Sequence, residues 1–145
     1  MFLLDTHVLS EMRKYGTGRA APGIIAWSQS VPEHSLYLSS IVVQEIEIGI
    51  LQLEWRKDRD QARIVRAWLE DSVLPRFANR VLSVDIAVAR RSAQLHVPDG
   101  RQYRDGLIAA TALVYGMTLV TRNTKDFEST GVHVLNPWIT GPRRG

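Results

Sequence analysis

Residues 1–9 read MFLLDTHVL. Phe2, Leu3 and Leu4 form a short apolar run. Asp5 and Thr6 follow at once, and Val8, Leu9 and Met12 then recur at helical spacing. A buried strand that ends on a carboxylate just before a helix puts that carboxylate at the carboxyl end of a sheet, where open α/β proteins gather their ligands. Asp5 is therefore a candidate first member of an acidic metal site. Such a site needs further oxygen ligands from distant parts of the chain.

The chain has 145 residues, 45% of them hydrophobic and 23% charged, which suits a single globular domain with one well-filled core. That domain is expected over residues 1–140, with 141–145 as a disordered tail. There is no cysteine, so disulfides and cysteine-based zinc sites are excluded, and a reducing compartment is allowed without being required. The location expected is cytoplasmic. The opening apolar run is too short for a secretion signal and is cut by Asp5. No stretch is long enough to span a membrane. The net charge of +3 permits a polyanionic partner without demanding one.

Strand and helix patterns alternate along the chain, which favours an α/β fold with a parallel sheet covered by helices. Thr6 can cap a first helix from His7 to Lys14. Tyr15 to Pro22 reads as a loop, and Pro22 opens a second helix. Leu36–Leu38 is the second strand. Ser39 or Ser40 caps a helix over Ile41–Leu53, on which Ile41, Glu45, Ile48, Gly49 and Gln52 share one face. Asp58 to Ser72 is a charged helix whose buried side is Ala62, Val65, Leu69 and Trp68, with Pro75 at its end. Val81–Val84 is the third strand, and Asp85 caps the helix from Ile86 to His96. The helix in RDGLIAATALVYG carries Asp105 in its first turn and stops at Gly116. Thr118–Thr121 and Val132–Leu135 are the last strands.

Three carboxylates stand in matching situations. Asp5 ends a buried strand, Glu45 interrupts an apolar helix face, and Asp105 opens an alanine-rich helix able to approach the sheet closely. Asn123 and Asp126 lie in the turn beyond the fourth strand. If the first and fourth strands are neighbours, these groups converge. Converging carboxylates repel, and a divalent cation removes the conflict. Hard oxygen ligands suit Mg²⁺, with Mn²⁺ as a substitute, and such a cation supports phosphodiester hydrolysis. Each residue also has a plainer role open to it. Asp5 can cap the first helix with Thr6, Glu45 can be a charge at a helix edge, and Asp105 can complement a helix N-terminus. Asn123 can form a turn, and Asp126 can cap one.

The opening MFLLDTHVLSEM resembles that of PIN-domain ribonucleases, in particular the VapC toxins and their Fit-type relatives. SSIVVQEIEIGI, RDGLIAATAL, TLVTRNTKDF and the closing VLNPW extend the resemblance over nearly the whole chain. It implies a PIN domain, a short parallel sheet sandwiched between helices. It implies Asp5, Glu45 and Asp105 as metal-binding and catalytic acids, Asn123 at a position often held by a fourth aspartate, and Thr121 as a hydroxyl beside the site. Thr6 and Asp126 are expected in support. The implied activity is Mg²⁺-dependent cleavage of RNA, including transfer RNA, by the toxin of a toxin–antitoxin pair. The implied partners are a cognate antitoxin, DNA only through that antitoxin, and a second copy of the chain in a homodimer. The other function class is a catalytically attenuated PIN-fold module that mainly binds its antitoxin.

His7 stands where the resembling proteins commonly have asparagine, and Asn123 removes a negative charge. Glu11, one turn beyond His7, can pair with Arg122 or face solvent. A phosphatase with Asp5 as nucleophile fits less well, because the second aspartate of such motifs falls on His7.

Overall fold

The computed structural model describes residues 1–15 and 17–139. The tail assigned to 141–145 lies outside them. Five short strands, β1 (Phe2–Leu4), β2 (Leu36–Ser39), β3 (Val81–Leu82), β4 (Thr118–Val120) and β5 (Val134–Leu135), form a sheet in the order β3-β2-β1-β4-β5. All four pairings are parallel. β1 is central, with Phe2 opposite Leu36 on one side and Thr118 on the other. The neighbours that the site reading requires, β1 and β4, are therefore paired.

Side chains alternate across the sheet, so each strand feeds two cores. Leu4, Leu36, Leu38 and Val120 face α1 (Thr6–Met12), α2 (Pro22–Gln29), α3 (Ser40–Trp55), α4 (Arg59–Trp68) and α5 (Leu74–Arg76), where Val8, Ile24, Val42, Ile50 and Phe77 are fully buried. Leu3 and Leu119 face α6 (Ile86–Leu95) and α7 (Tyr103–Tyr115), packing on Val88, Ile108, Ala109 and Ala112. The alanines of α7 let its axis lie close to the strands. This is the α/β sandwich expected from the alternating pattern. Among the described residues no helix is long and apolar enough to cross a membrane.

Three local expectations are corrected. Asp5, not Thr6, caps α1: its Oδ1 accepts the Thr6 amide at 2.7 Å, and the helix begins at Thr6. The buried face of α3 is Val42, Ile46 and Ile50, while Ile48 is 46% exposed. This helix carries aliphatic residues all round, so periodicity could not choose its inward face. Pro75 does not end the fourth helix. A π turn at Leu69–Val73 leads into α5, where Pro75 sits in the first turn and needs no amide partner. Ser39 and Asp85 cap their helices as expected. Gly116 closes α7 at φ +65°, a left-handed conformation that favours glycine.

Gly23 lies within α2, where alanine ordinarily adds stability. Here a Cβ would sit 2.3 Å from the Pro137 carbonyl oxygen and 3.0 Å from that of Trp138. The glycine lets the C-terminal segment lie directly on the helix. Gly23→Ala is expected to destabilise the protein by about 1–3 kcal/mol in urea unfolding, the cost of an overpacked contact. A stabilised variant would show that this backbone contact is not rigid.

Glu33 receives two bonds from Arg76, at 2.6 and 2.7 Å, and one from Arg80 at 3.2 Å. Arg76 holds the Glu33 carboxyl below its ordinary value of 4.5, against a smaller opposing effect of burial, with Arg80 assisting. The folded pKa lies below the unfolded one, so this stabilisation is full above the unfolded value and is lost as pH falls through the folded value. Glu33→Gln should therefore flatten the acid limb of the stability curve and leave its slope near neutrality unchanged, measured by melting temperature against pH.

Candidate metal centre

β1 is the strand at which the connection order reverses, and the crevice beyond its carboxyl end opens beside β4. Asp5 emerges there directly after Leu4, is 8% exposed, and has both carboxylate oxygens occupied. Oδ1 accepts the Thr6 amide, and Oδ2 accepts the fully buried Thr121 hydroxyl at 2.8 Å. Thr121 Oγ1 in turn accepts the Asn123 amide at 3.1 Å. The Asp5 side chain is thus fixed from its own helix and from the end of β4.

Glu45 reaches the same region from α3. Its Oε1 accepts a hydrogen bond from the Thr6 hydroxyl. Its Oε2 accepts from Arg104 Nη1 at 2.7 Å. Arg104 Nη2 also lies 3.3 Å from Asp105 Oδ1. Burial pushes the Asp105 carboxyl above its ordinary range; Arg104 opposes this, and the charges of Asp126 and Asp5 add to it. Burial works against the charge on Arg104, but Glu45 and Asp105 more than offset it and hold its pKa above the usual arginine value.

Asp5, Glu45 and Asp105 therefore meet at one end of the sheet, linked through Thr6 and Arg104. As they stand, no three histidine, aspartate or glutamate side chains among the described residues are grouped to hold a metal ion. A guanidinium bridges two of the three acids instead. The donor set itself is all oxygen and crowded with negative charge, which fits a hard divalent cation. Asn123 is exposed, at the start of a 3-10 turn (Thr124–Phe127), and its side chain makes no capping bond. Asp126 is exposed in that turn, and its charge is felt at Asp105. His7 is exposed on α1.

Glu11 does not pair directly with Arg122. It bonds Lys14 at 3.1 Å and accepts the Ala21 amide at 2.8 Å, tying the loop before α2 to α1. Arg122 lies over the Trp138 ring, 5.0 Å from its centroid. Arg104 is the residue that reading the sequence missed. The available signal was a cation in the first turn of a helix, where the helix dipole disfavours it. An open cleft of about 240 Å³ runs beside Thr6 and Glu45, lined also by Ser10, Arg13, Gly49 and Trp68.

The Thr121–Asp5 bond is the buried link between β4 and the acids. Thr121→Val keeps the shape and removes the donor to a carboxylate. It should cost about 1.5–3 kcal/mol in denaturant unfolding. A loss below about 0.5 kcal/mol would mean that Asp5 finds another donor at no cost.

The PIN domain family model matches residues 2–132. The chain is 37% identical over 143 residues to the VapC ribonuclease Y4jK of Sinorhizobium fredii, covering 95% of this chain and 98% of that one. It is 38% identical over 144 residues to the toxin FitB of Neisseria gonorrhoeae, covering 95% and 99%. The crystal structure of FitAcB from that organism superposes with a TM-score of 0.84 at 35% identity, over 96% of this chain and 99% of that chain. FitAB bound to an IR36 DNA fragment matches with a TM-score of 0.83 at 34% identity, over 99% and 100%.

Proposed function

This chain belongs to the PIN-domain family, and from that membership we propose that it is a Mg²⁺-dependent endoribonuclease acting as the toxin of a toxin–antitoxin pair. The observation that carries the reading is the connected set Thr121–Asp5 and Thr6–Glu45–Arg104–Asp105 at the switch point of the sheet. Asp5, Glu45 and Asp105 would hold the Mg²⁺, and Asn123 would contribute directly or through water. When bound, the cation supplies an activated water and neutralises charge on the phosphate. Thr121 and the Thr6 amide fix both oxygens of Asp5, and the Thr6 hydroxyl fixes one oxygen of Glu45, so two acids enter the reaction already oriented. Asp126 adds negative charge beside Asp105. Arg13, on the cleft next to Glu45, offers a cation to the RNA backbone.

The toxin role rests on the names of the relatives, VapC ribonuclease and toxin FitB. The FitAB complex on DNA supports a cognate antitoxin as partner, with DNA reached through it. Ile48, Leu51 and Trp55 leave the outer face of α3 apolar and exposed, Trp55 at 87%, which suits a protein partner. A structured RNA such as transfer RNA, a homodimer and a cytoplasmic location complete the proposal. The attenuated binding module remains the second reading, favoured by the guanidinium between Glu45 and Asp105 and by the uncharged Asn123.

Asp5→Asn tests the chemistry in a chain that still folds, because asparagine caps helices as well as aspartate does and the Thr121 hydroxyl can turn to accept from its amide. The variant should stay folded by circular dichroism and lose at least about 100-fold in RNA cleavage, more than the loss of a residue merely supporting a metal ligand. Wild-type cleavage should vanish with chelator and return with Mg²⁺. A folded, fully active Asp5→Asn protein would overturn the mechanism. A wild-type chain that binds neither Mg²⁺ nor Mn²⁺ in calorimetry would leave the binding-module reading standing.

A further inference from the structure

We propose that Arg104 is a displaceable internal counter-ion, which holds Glu45 and Asp105 together in the metal-free protein and must release them for a divalent cation to bind. The inference rests on the metal reading above and goes beyond it by assigning a function to a residue that is not itself a ligand.

The geometry is specific. Arg104 Nη1 is 2.7 Å from Glu45 Oε2, and Nη2 is 3.3 Å from Asp105 Oδ1. The other Glu45 oxygen is taken by the Thr6 hydroxyl. Each oxygen of Glu45 thus accepts a hydrogen bond, and the one on Oε2 comes from a full positive charge that repels a second cation at the same place. Arg104 is the partner able to leave. Its side chain is 46% exposed, against 16% for Glu45 and 13% for Asp105, so water can take over its hydrogen bonds while the acids stay in place. Thr6, in contrast, is built into α1 next to its cap.

Position in the helix argues the same way. Arg104 is the second residue of α7, where backbone amides present partial positive charge and a cation is disfavoured. Nothing in helix formation asks for arginine there. What holds the guanidinium in place is the pair of carboxylates, one of them 59 residues away in sequence. The same two acids are the ones a hard cation would use. Guanidinium and metal thus compete for the same negative charge, and the apparent metal affinity contains the cost of moving Arg104 aside. Once displaced, its planar fork suits the phosphate oxygens of a substrate better than a lysine would.

The test is Mn²⁺ and Mg²⁺ binding to the full chain by calorimetry, with arginine side-chain NMR on the wild type. Arg104→Gln should bind Mn²⁺ about tenfold more tightly, the lower end of what a neighbouring arginine does to a carboxylate's affinity for a proton. Arg104→Lys, which keeps the charge without the fork, should fall between. Arg101→Gln is the charge control. Arg101 bonds the Leu95 carbonyl and the Ser129 hydroxyl rather than an acid, so its removal should change affinity by less than about threefold. In the wild type, hindered rotation about the Arg104 Cζ–Nε bond should become fast as Mg²⁺ saturates the site. If Arg104→Gln binds no more tightly than Arg101→Gln, or if Arg104 rotation is unchanged while Mg²⁺ binds, the counter-ion role is overturned and the metal site survives. If neither wild type nor variant binds either cation, the metal reading fails and the counter-ion role with it.

Discussion

β1 and β4 run side by side, with Leu3 opposite Leu119 and Leu4 opposite Val120. The next residue of each strand-end segment is polar: Asp5 after β1, Thr121 after β4. The pairing continues into the Asp5 amide, which donates to the Val120 carbonyl at 3.0 Å, and then into the Thr121–Asp5 side-chain bond. The register that buries Leu3, Leu4, Leu119 and Val120 therefore also delivers the first acid of the site and its hydroxyl partner. A slip of one residue would put these side chains on the wrong faces and break the core and the site together. Stability and chemistry depend here on the same few ladder bonds.

The helices add the other acids by packing, not by pairing. α3 buries Val42, Ile46 and Ile50 against one face of the sheet, which leaves Glu45 at the edge of that face, within reach of Thr6. α7 buries Ile108, Ala109 and Ala112 against the opposite face, and its first turn brings Arg104 and Asp105 to the same end. Glu45 and Asp105 thus come from opposite layers of the sandwich and meet beyond the carboxyl ends of the strands. Small side chains on α7 and the central position of β1 make that meeting possible.

Much of this was legible in the sequence because the signals were local. An apolar triplet followed by Asp5, serine or aspartate ahead of the third and sixth helices, and a glycine after an alanine-rich helix each name their own element. The placement of Glu45 near the site was also readable, although on a mistaken argument. The apolar face that Glu45 interrupts in the sequence is not the buried one; Glu45 flanks the buried stripe of Val42, Ile46 and Ile50 on a helix with aliphatic residues on every side. Arg104 was not legible as a partner of Glu45, because an ion pair between residues 59 apart exists only once α3 and α7 are packed. The division of labour between Asp5 and Thr6 was hidden for a similar reason. Either can cap a helix, and only the distant Glu45 shows that the Thr6 hydroxyl is needed elsewhere.

Gathering Asp5, Glu45 and Asp105 at one sheet end creates a charge problem that the protein must solve in every state. One solution is a proton, and burial, with the charges of Asp126 and Asp5, pushes the Asp105 carboxyl above its ordinary value. Another is the chain's own cation, Arg104, which pulls in the opposite direction on that same carboxyl. A third is a metal ion. The three are alternatives for the same negative charge, so each lowers the need for the others. A site that already contains its own neutralising group is relieved of part of the repulsion that a bare triad of acids would carry without metal. That is a physical reason for arginine directly before Asp105, at a helix position where the dipole would prefer something else.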